Sequence, residues 1–95
     1  MKIYKYPLSV ASVQEVVIPS GAVILDLQVQ NGYPCIWAKI LEPNLAHGRE
    51  YYFNEIRTFI TIGTGHEFSE KNLTYVGTYQ LAGFVGHVFE QRSIR

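Results

Sequence analysis

Residues 22–40 alternate apolar and polar side chains on either side of a central Asn31-Gly32 pair, the pattern of a β-hairpin. Both central residues of a type I′ turn take positive φ, a conformation that asparagine and glycine tolerate best. Such a turn fixes the register. It sets Gln30 opposite Tyr33, Val29 opposite Pro34, Gln28 opposite Cys35, Leu27 opposite Ile36, Asp26 opposite Trp37 and Leu25 opposite Ala38. Strand side chains alternate with period two, so one face collects Val23, Leu25, Leu27, Val29, Pro34, Ile36, Ala38 and Ile40, and is expected to be the core face. The other collects Ile24, Asp26, Gln28, Gln30, Tyr33, Cys35, Trp37 and Lys39, a surface of amides and aromatic rings.

The β pattern continues along most of the chain. Lys2–Tyr6 reads as a short strand ended by Pro7. Ser12 and Glu15 have the spacing of a helix capping box, but Val16-Val17-Ile18-Pro19 is β-branched and then broken by proline, so a strand is predicted over 13–18. Pro19-Ser20-Gly21 is predicted to turn. Residues 42–54 lack lasting periodicity, and Pro43, Asn44 and Gly48 mark a protruding loop. Its Tyr51-Tyr52-Phe53 cluster predicts that the loop folds over a core edge or reaches a neighbouring chain. Ile56–Thr64 reads as a strand with Ile56, Thr58, Ile60 and Ile62 on one face and Arg57, Phe59 and Thr61 on the other. Gly63-Thr64-Gly65-His66 ends it and Ser69–Asn72 is a polar loop. Tyr75–Leu81 and Val85–Gln91 form a second hairpin across Ala82-Gly83-Phe84, and residues 92–95 are predicted to fray. The expected fold is all-β: one domain over residues 1–95, a small antiparallel β-sandwich or flattened barrel of about six to eight short strands.

Eight basic and eight acidic residues give zero net charge without runs of either sign. Scattered lysines and arginines do not make the clustered patch that nucleic acid requires. No apolar stretch approaches the roughly eighteen residues of a membrane span, and Lys2 and Lys5 precede no apolar leader, so a cytoplasmic protein without membrane contact is expected. The single cysteine, Cys35, excludes an internal disulfide and fits a reducing compartment. A neutral, aromatic-rich chain has little charge repulsion between copies, and burying its stickiest face in a homo-oligomer keeps it soluble.

Candidate chemistry is sparse. No His-Glu-x-x-His, Cys-x-x-Cys or Gly-x-Ser-x-Gly occurs. Acid–base chemistry would fall to His47, His66, His87 or a carboxylate such as Glu67 or Glu90, and Cys35 has no evident base. Histidines 66 and 87, with Cys35 or Glu90, lack the close ligand pairs of a metal site, so no catalytic residue, metal or cofactor is assigned. His87 shares a face with Val85 and Phe89 and is expected to cap a core edge through a carbonyl. In Gly63-Thr64-Gly65-His66, a turn needing positive φ accounts for both glycines. The functional alternative is a backbone nest over an anionic group, helped by Arg57 or Lys71. Asp26, Gln28, Gln30, Tyr33, Cys35 and Trp37 are expected to meet a partner chain, since burying so many polar groups inside the monomer needs a partner for each. A ligand surface and cover by the 42–54 loop are the alternatives.

Six blocks are distinctive together: Met1-Lys-Ile-x-Lys-Tyr6, Ile18-Pro-x-Gly-Ala22, Val29-Gln-Asn-Gly-x-Pro-Cys-x-Trp-Ala38, Gly63-Thr-Gly-His66, Gly77-Thr-Tyr-Gln-Leu81 and His87-Val-Phe-Glu90. They resemble a family of small phage and prophage proteins that carry a domain of unknown function. The resemblance spans most of the chain except 42–54, which is longer than the family suggests. It implies a phage accessory protein and brings no catalytic chemistry. The expected function is a non-enzymatic binding protein acting as a homo-oligomer across the Trp37 face. One alternative is sequestration of a small host metabolite or signalling nucleotide in an anti-defence role, held at a subunit junction by Tyr33, Trp37, Arg57, Gly63, Thr64, Gly65 and His66. Another is a minor virion or assembly component.

Overall fold

Asn31 and Gly32 take φ values of 53° and 80° in the computed structural model, which describes residues 1–92. That turn joins two of the nine strands among the described residues: β1 (Lys2–Pro7), β2 (Val13–Pro19), β3 (Val23–Gln30), β4 (Tyr33–Ile40), β5 (Asn44–Ala46), β6 (Arg49–Tyr51), β7 (Asn54–Gly63), β8 (Leu73–Leu81) and β9 (Phe84–Gln91). All pairings are antiparallel. One sheet has the order β1-β4-β3, the second β2-β7-β9-β8, and β5 pairs with β6 alone. The result is a flattened β-sandwich with a barrel-like strand circuit, as the periodicity predicts. Seven strands make the body.

The additional pair lies inside 42–54, where a loop was expected. His47 and Gly48 take φ of 53° and 74°, repeating the geometry of Asn31-Gly32. Three-residue strands are too short to leave a readable alternation, and histidine is not a usual turn marker. Every residue of β5 and β6 is exposed, while Tyr52 packs against the core and anchors the return.

The predicted hairpin register holds from Gln30↔Tyr33 to Asp26↔Trp37, with Leu27 and Ile36 paired and buried. It then breaks. Ile24, not Leu25, lies opposite Ala38, so Leu25 is an extra residue in a β-bulge. The bulge exchanges faces beyond it: Ile24 packs on the core, whereas Val23 and Leu25, expected inside, are exposed. Val29 is also exposed, two residues before the hairpin turn. Cys35, assigned to the outer face, is only 2% exposed. It lies on the central strand of a three-stranded sheet, and Lys5 on β1 reaches Gln30 on β3 at 2.5 Å, crossing β4 at its level.

The second sheet places Ile18, Phe59, Val88 and Tyr79 inward against Ile36, Ala38, Ile40 and Leu27. The capping-box spacing at Ser12 makes no helix. Gln14 instead clamps Ser9, accepting its backbone N–H at 2.9 Å and donating to its carbonyl at 2.8 Å. A second bulge, at Val76, shifts β8 against β9. At that level Gly77 receives the Leu27 side chain from β3, so the two sheets meet at a corner made by two bulged edges. Of the predicted frayed tail, Arg92 is held through its backbone N–H to the Asn72 carbonyl at 2.8 Å, and residues 93–95 lie outside the described residues. Among the described residues no helix is long and apolar enough to cross a membrane.

Candidate functional site

Pairing in the second sheet aligns its outward side chains in rows across the strands. Val13, Ile60, Phe89 and Tyr75 form one row over all four strands. Ile62, His87 and Thr78 form the next row on one side; Glu15, Thr58 and Gln91 lie on the other, followed by Val17 and Ile56. The outer face is therefore largely apolar. Val17 and Ile56 are 61% and 62% exposed, and Val13 and Tyr75 are similarly open.

At one end of this face the chain leaves β7 through Gly63-Thr64-Gly65-His66. His66 donates its backbone N–H to the Gly63 carbonyl at 3.1 Å, closing the turn on itself. Of the two glycines only Gly65 takes positive φ, 87°. Gly63 answers a different need, because a methyl there would sit 3.2 Å from the His66 ring. The turn thus spends one of the N–H donors that an anion nest would require. It carries the chain on to Phe68, which packs over Phe89 with ring centroids 5.2 Å apart.

Beneath the turn, His87 is bound on both ring nitrogens by hydroxyls rather than by the expected carbonyl. Thr64 Oγ1 lies 2.7 Å from Nε2 and Thr78 Oγ1 lies 2.9 Å from Nδ1, and the Tyr75 hydroxyl continues the chain to Thr78 at 2.5 Å. These residues with Ile62, Gly63, Gly65, His66, Phe68 and Phe89 enclose a cleft of about 300 Å³. His66 and His87 therefore line one cleft. Among the described residues no group of three or more His, Cys, Asp or Glu side chains is placed to hold a metal.

Arg57 is elsewhere. It lies six residues before Gly63 on β7, roughly 20 Å at strand rise. Its guanidinium forks onto Glu90, with Nε–Oε2 at 2.5 Å and Nη2–Oε1 at 2.7 Å, and donates from Nη1 to the Ala22 carbonyl. Glu90's hydrogen bond holds the Arg57 pKa above its ordinary value against the cost of desolvation. Arg57 is thus a tie between β7, β9 and the entrance to β3. Tyr33 and Trp37 do not line the histidine cleft either, so within one chain the seven residues grouped as a ligand site lie apart.

In the single chain the face that carries Trp37 is open. Asp26, Gln28, Gln30 and Tyr33 are exposed and Trp37 is half-buried. Their polar groups are engaged laterally: Lys5 with Gln30, and Gln28 with Asp26 at 3.1 Å. The sequence singles out Gly63–His66 but misses Phe68, Tyr75 and Thr78 as members of the cleft. The Val76 bulge explains part of that miss, because strict alternation separates Tyr75 from Thr78 onto opposite faces. The shared face of His87 and Phe89 was the legible signal.

No curated protein and no solved structure matches the chain. The model of one family matches residues 1–95. The chain, an all-β sandwich with an aromatic, histidine-bearing cleft, belongs to the family described as a domain of unknown function (DUF7352).

Proposed function

We propose that this domain is a non-enzymatic binding protein that works as a homo-oligomer, with the outer face of the second sheet covered by a second copy of the chain. The observation that carries this reading is the uncovered apolar face of Val13, Val17, Ile56 and Ile60, next to an arm that lacks support of its own. The Glu15–Thr58–Gln91 row divides this face into two apolar patches, and exposed apolar patches rimmed by polar residues mark interaction sites. An isolated two-stranded hairpin is marginal in water, yet the β5–β6 arm stands exposed with Leu45, Tyr51 and Phe53 open.

The two features adjoin. The arm returns into β7 beside Pro19↔Asn54, two rungs from Val17↔Ile56, and Ser20 donates its backbone N–H to the Phe53 carbonyl at 2.7 Å. Placing each copy's arm on the other's Val17–Ile56 surface gives a closed, two-fold contact. The β2–β7 ladder from Val13↔Ile60 to Pro19↔Asn54 is two strands wide and about 20 Å long, roughly 200 Å² of flat area, and the other copy's arm and side-chain relief must supply most of the ~800 Å² per partner of a standard interface. Zero net charge adds no repulsion between copies. This face replaces the Trp37 face as the favoured contact, because the Trp37 face has its polar groups paired and its cysteine covered.

The phage or prophage accessory setting is part of the proposal and rests on the six sequence blocks. A host-cytoplasmic location agrees with the free Cys35 thiol. A multiply charged nucleotide is a weaker occupant than a protein chain, since Arg57 is committed to Glu90.

An isotope-filtered nuclear Overhauser experiment on mixed labelled and unlabelled protein tests the arrangement. Intermolecular contacts from Leu45 and Phe53 to Val17 and Ile56 are expected. Contacts that map instead to Tyr33 and Trp37, or none in a sample shown to be dimeric, would overturn the arm-on-face geometry.

A further inference from the structure

We propose that the cleft under the Gly63–His66 turn binds an uncharged heteroaromatic ring system of one or two fused rings. All the residues that line the cleft come from a single chain, and Phe89 lies opposite Ile60 at the edge of the face described above, so the site is complete without a second copy.

Shape comes first. Phe68 and Tyr75 flank Phe89, with centroids 5.2 and 5.4 Å away and planes inclined by 40° and 62°. Offset and edge-to-face geometries are those in which aromatic rings attract, and another ring laid on this cluster extends it. A volume of about 300 Å³ is at the small end of ligand sites and suits a compact planar molecule.

Polarity comes second. Thr64, His87, Thr78 and Tyr75 form one unbroken hydrogen-bonded chain along the cleft. A neutral imidazole has one N–H and one lone pair. If Nε2 carries the proton it donates to Thr64, whose own hydroxyl proton is released to the cleft, while Thr78 donates to Nδ1, Tyr75 donates to Thr78, and the Tyr75 oxygen keeps free lone pairs. With the proton on Nδ1, the Thr64 oxygen becomes the acceptor, and the Tyr75 hydroxyl becomes the donor as Thr78 donates to it. Either tautomer offers a donor at one end and an acceptor at the other. A heteroaromatic edge that carries both functions is matched in both states.

Charge comes third. No lysine, arginine, aspartate or glutamate lines this cleft among the described residues. An ammonium group entering it would lose hydration without gaining a counter-charge, and a phosphate would meet no fixed cation, only the imidazoles of His66 and His87.

Saturation-transfer difference NMR on the full chain tests the proposal, with benzimidazole and adenine as neutral ring probes. Adenosine monophosphate and cyclohexanecarboxamide serve as the charged and aliphatic comparisons. Both ring probes should receive saturation, with affinity at least about tenfold above the comparisons. Thr78→Val, which cuts the hydroxyl chain at its centre while keeping the side-chain shape, should weaken ring binding about five- to tenfold. Tyr75→Phe removes only a terminal hydroxyl and gives the same readout should Thr78→Val fail to fold, as judged by its melting curve. The proposal is overturned by no transfer to either ring probe at about 5 mM, by tighter binding of the monophosphate than of adenine, or by undiminished ring binding in the folded variant.

Discussion

Leu27 on β3 and Gly77 on β8 are in direct contact across the corner of the sandwich: a methyl group at Gly77 would lie 3.0 Å from the Leu27 Cβ and 3.2 Å from its Cδ2. Each residue neighbours a bulge in its own strand, so the two irregular edges fit one another. Gly77→Ala overpacks this corner and is expected to cost about 1–3 kcal/mol. Leu27→Ala removes a core side chain and is expected to cost about 2–5 kcal/mol. Urea titrations of both single variants and the double variant check the contact. The cycle should give a coupling of at least about 0.5 kcal/mol, whereas strictly additive losses would deny that the two residues meet.

The Arg57–Glu90 fork predicts a structural penalty. Both side chains are largely buried, at 16% and 18% exposure, so removing one leaves the other charged and unpaired. Arg57→Ala should lose about 2–3 kcal/mol, and Arg57→Lys should recover less than half of it, because an ammonium cannot hold two carboxylate oxygens and the Ala22 carbonyl in one plane. Thermal melts of both variants read this directly. An Arg57→Ala protein as stable as the parent would return Arg57 to the pool of free cations.

What the sequence made legible follows the physics of each element. The Asn31-Gly32 turn is encoded locally, and so the register beside it was readable to the residue. Both bulges escaped, because an inserted residue depends on the neighbouring edge strand and leaves no mark in a period-two pattern. That one omission misplaced Val23 and Leu25 and divided Tyr75 from Thr78. Burial of Cys35 was equally hidden, since it follows from the place of β4 between β1 and β3, a pairing of strands far apart in the chain. The apolar face of β7 was visible as Ile56, Ile60 and Ile62, but Phe59 on the opposite face is the residue that enters the core.

Tyr79 gives a prediction of opposite sign. Its ring is 4% exposed and lies over Gly86, and its hydroxyl has no hydrogen-bond partner among the described residues. Tyr79→Phe keeps the ring and removes the unsatisfied group, so it should stabilise the protein by about 1 kcal/mol at neutral pH. Burial raises the Tyr79 pKa above 10.0, as it does for Tyr6, where the neighbouring Tyr4 adds to the shift. A folded-state pKa above the unfolded one means that the folded protein holds the proton more firmly. That contribution is complete below about pH 10 and is lost as pH rises through the folded value. Chemical denaturation from neutral to strongly alkaline pH should therefore show a shallower loss for Tyr79→Phe than for the parent. Equal losses would show that the hydroxyl is not held in its neutral form by burial.

The claim that a second copy covers the outer face of the second sheet is tested most directly by sedimentation velocity of the full chain from about 1 to about 200 µM, in parallel with Ile56→Lys. Ile56 is 62% exposed, so the lysine is compatible with the folded monomer while placing two like charges near the proposed contact. The parent should sediment as a dimer through the upper part of that range, and Ile56→Lys as a folded monomer with an unchanged circular dichroism spectrum. A parent that remains monomeric at the highest concentration, or an Ile56→Lys protein that dimerises as well as the parent, would contradict the account.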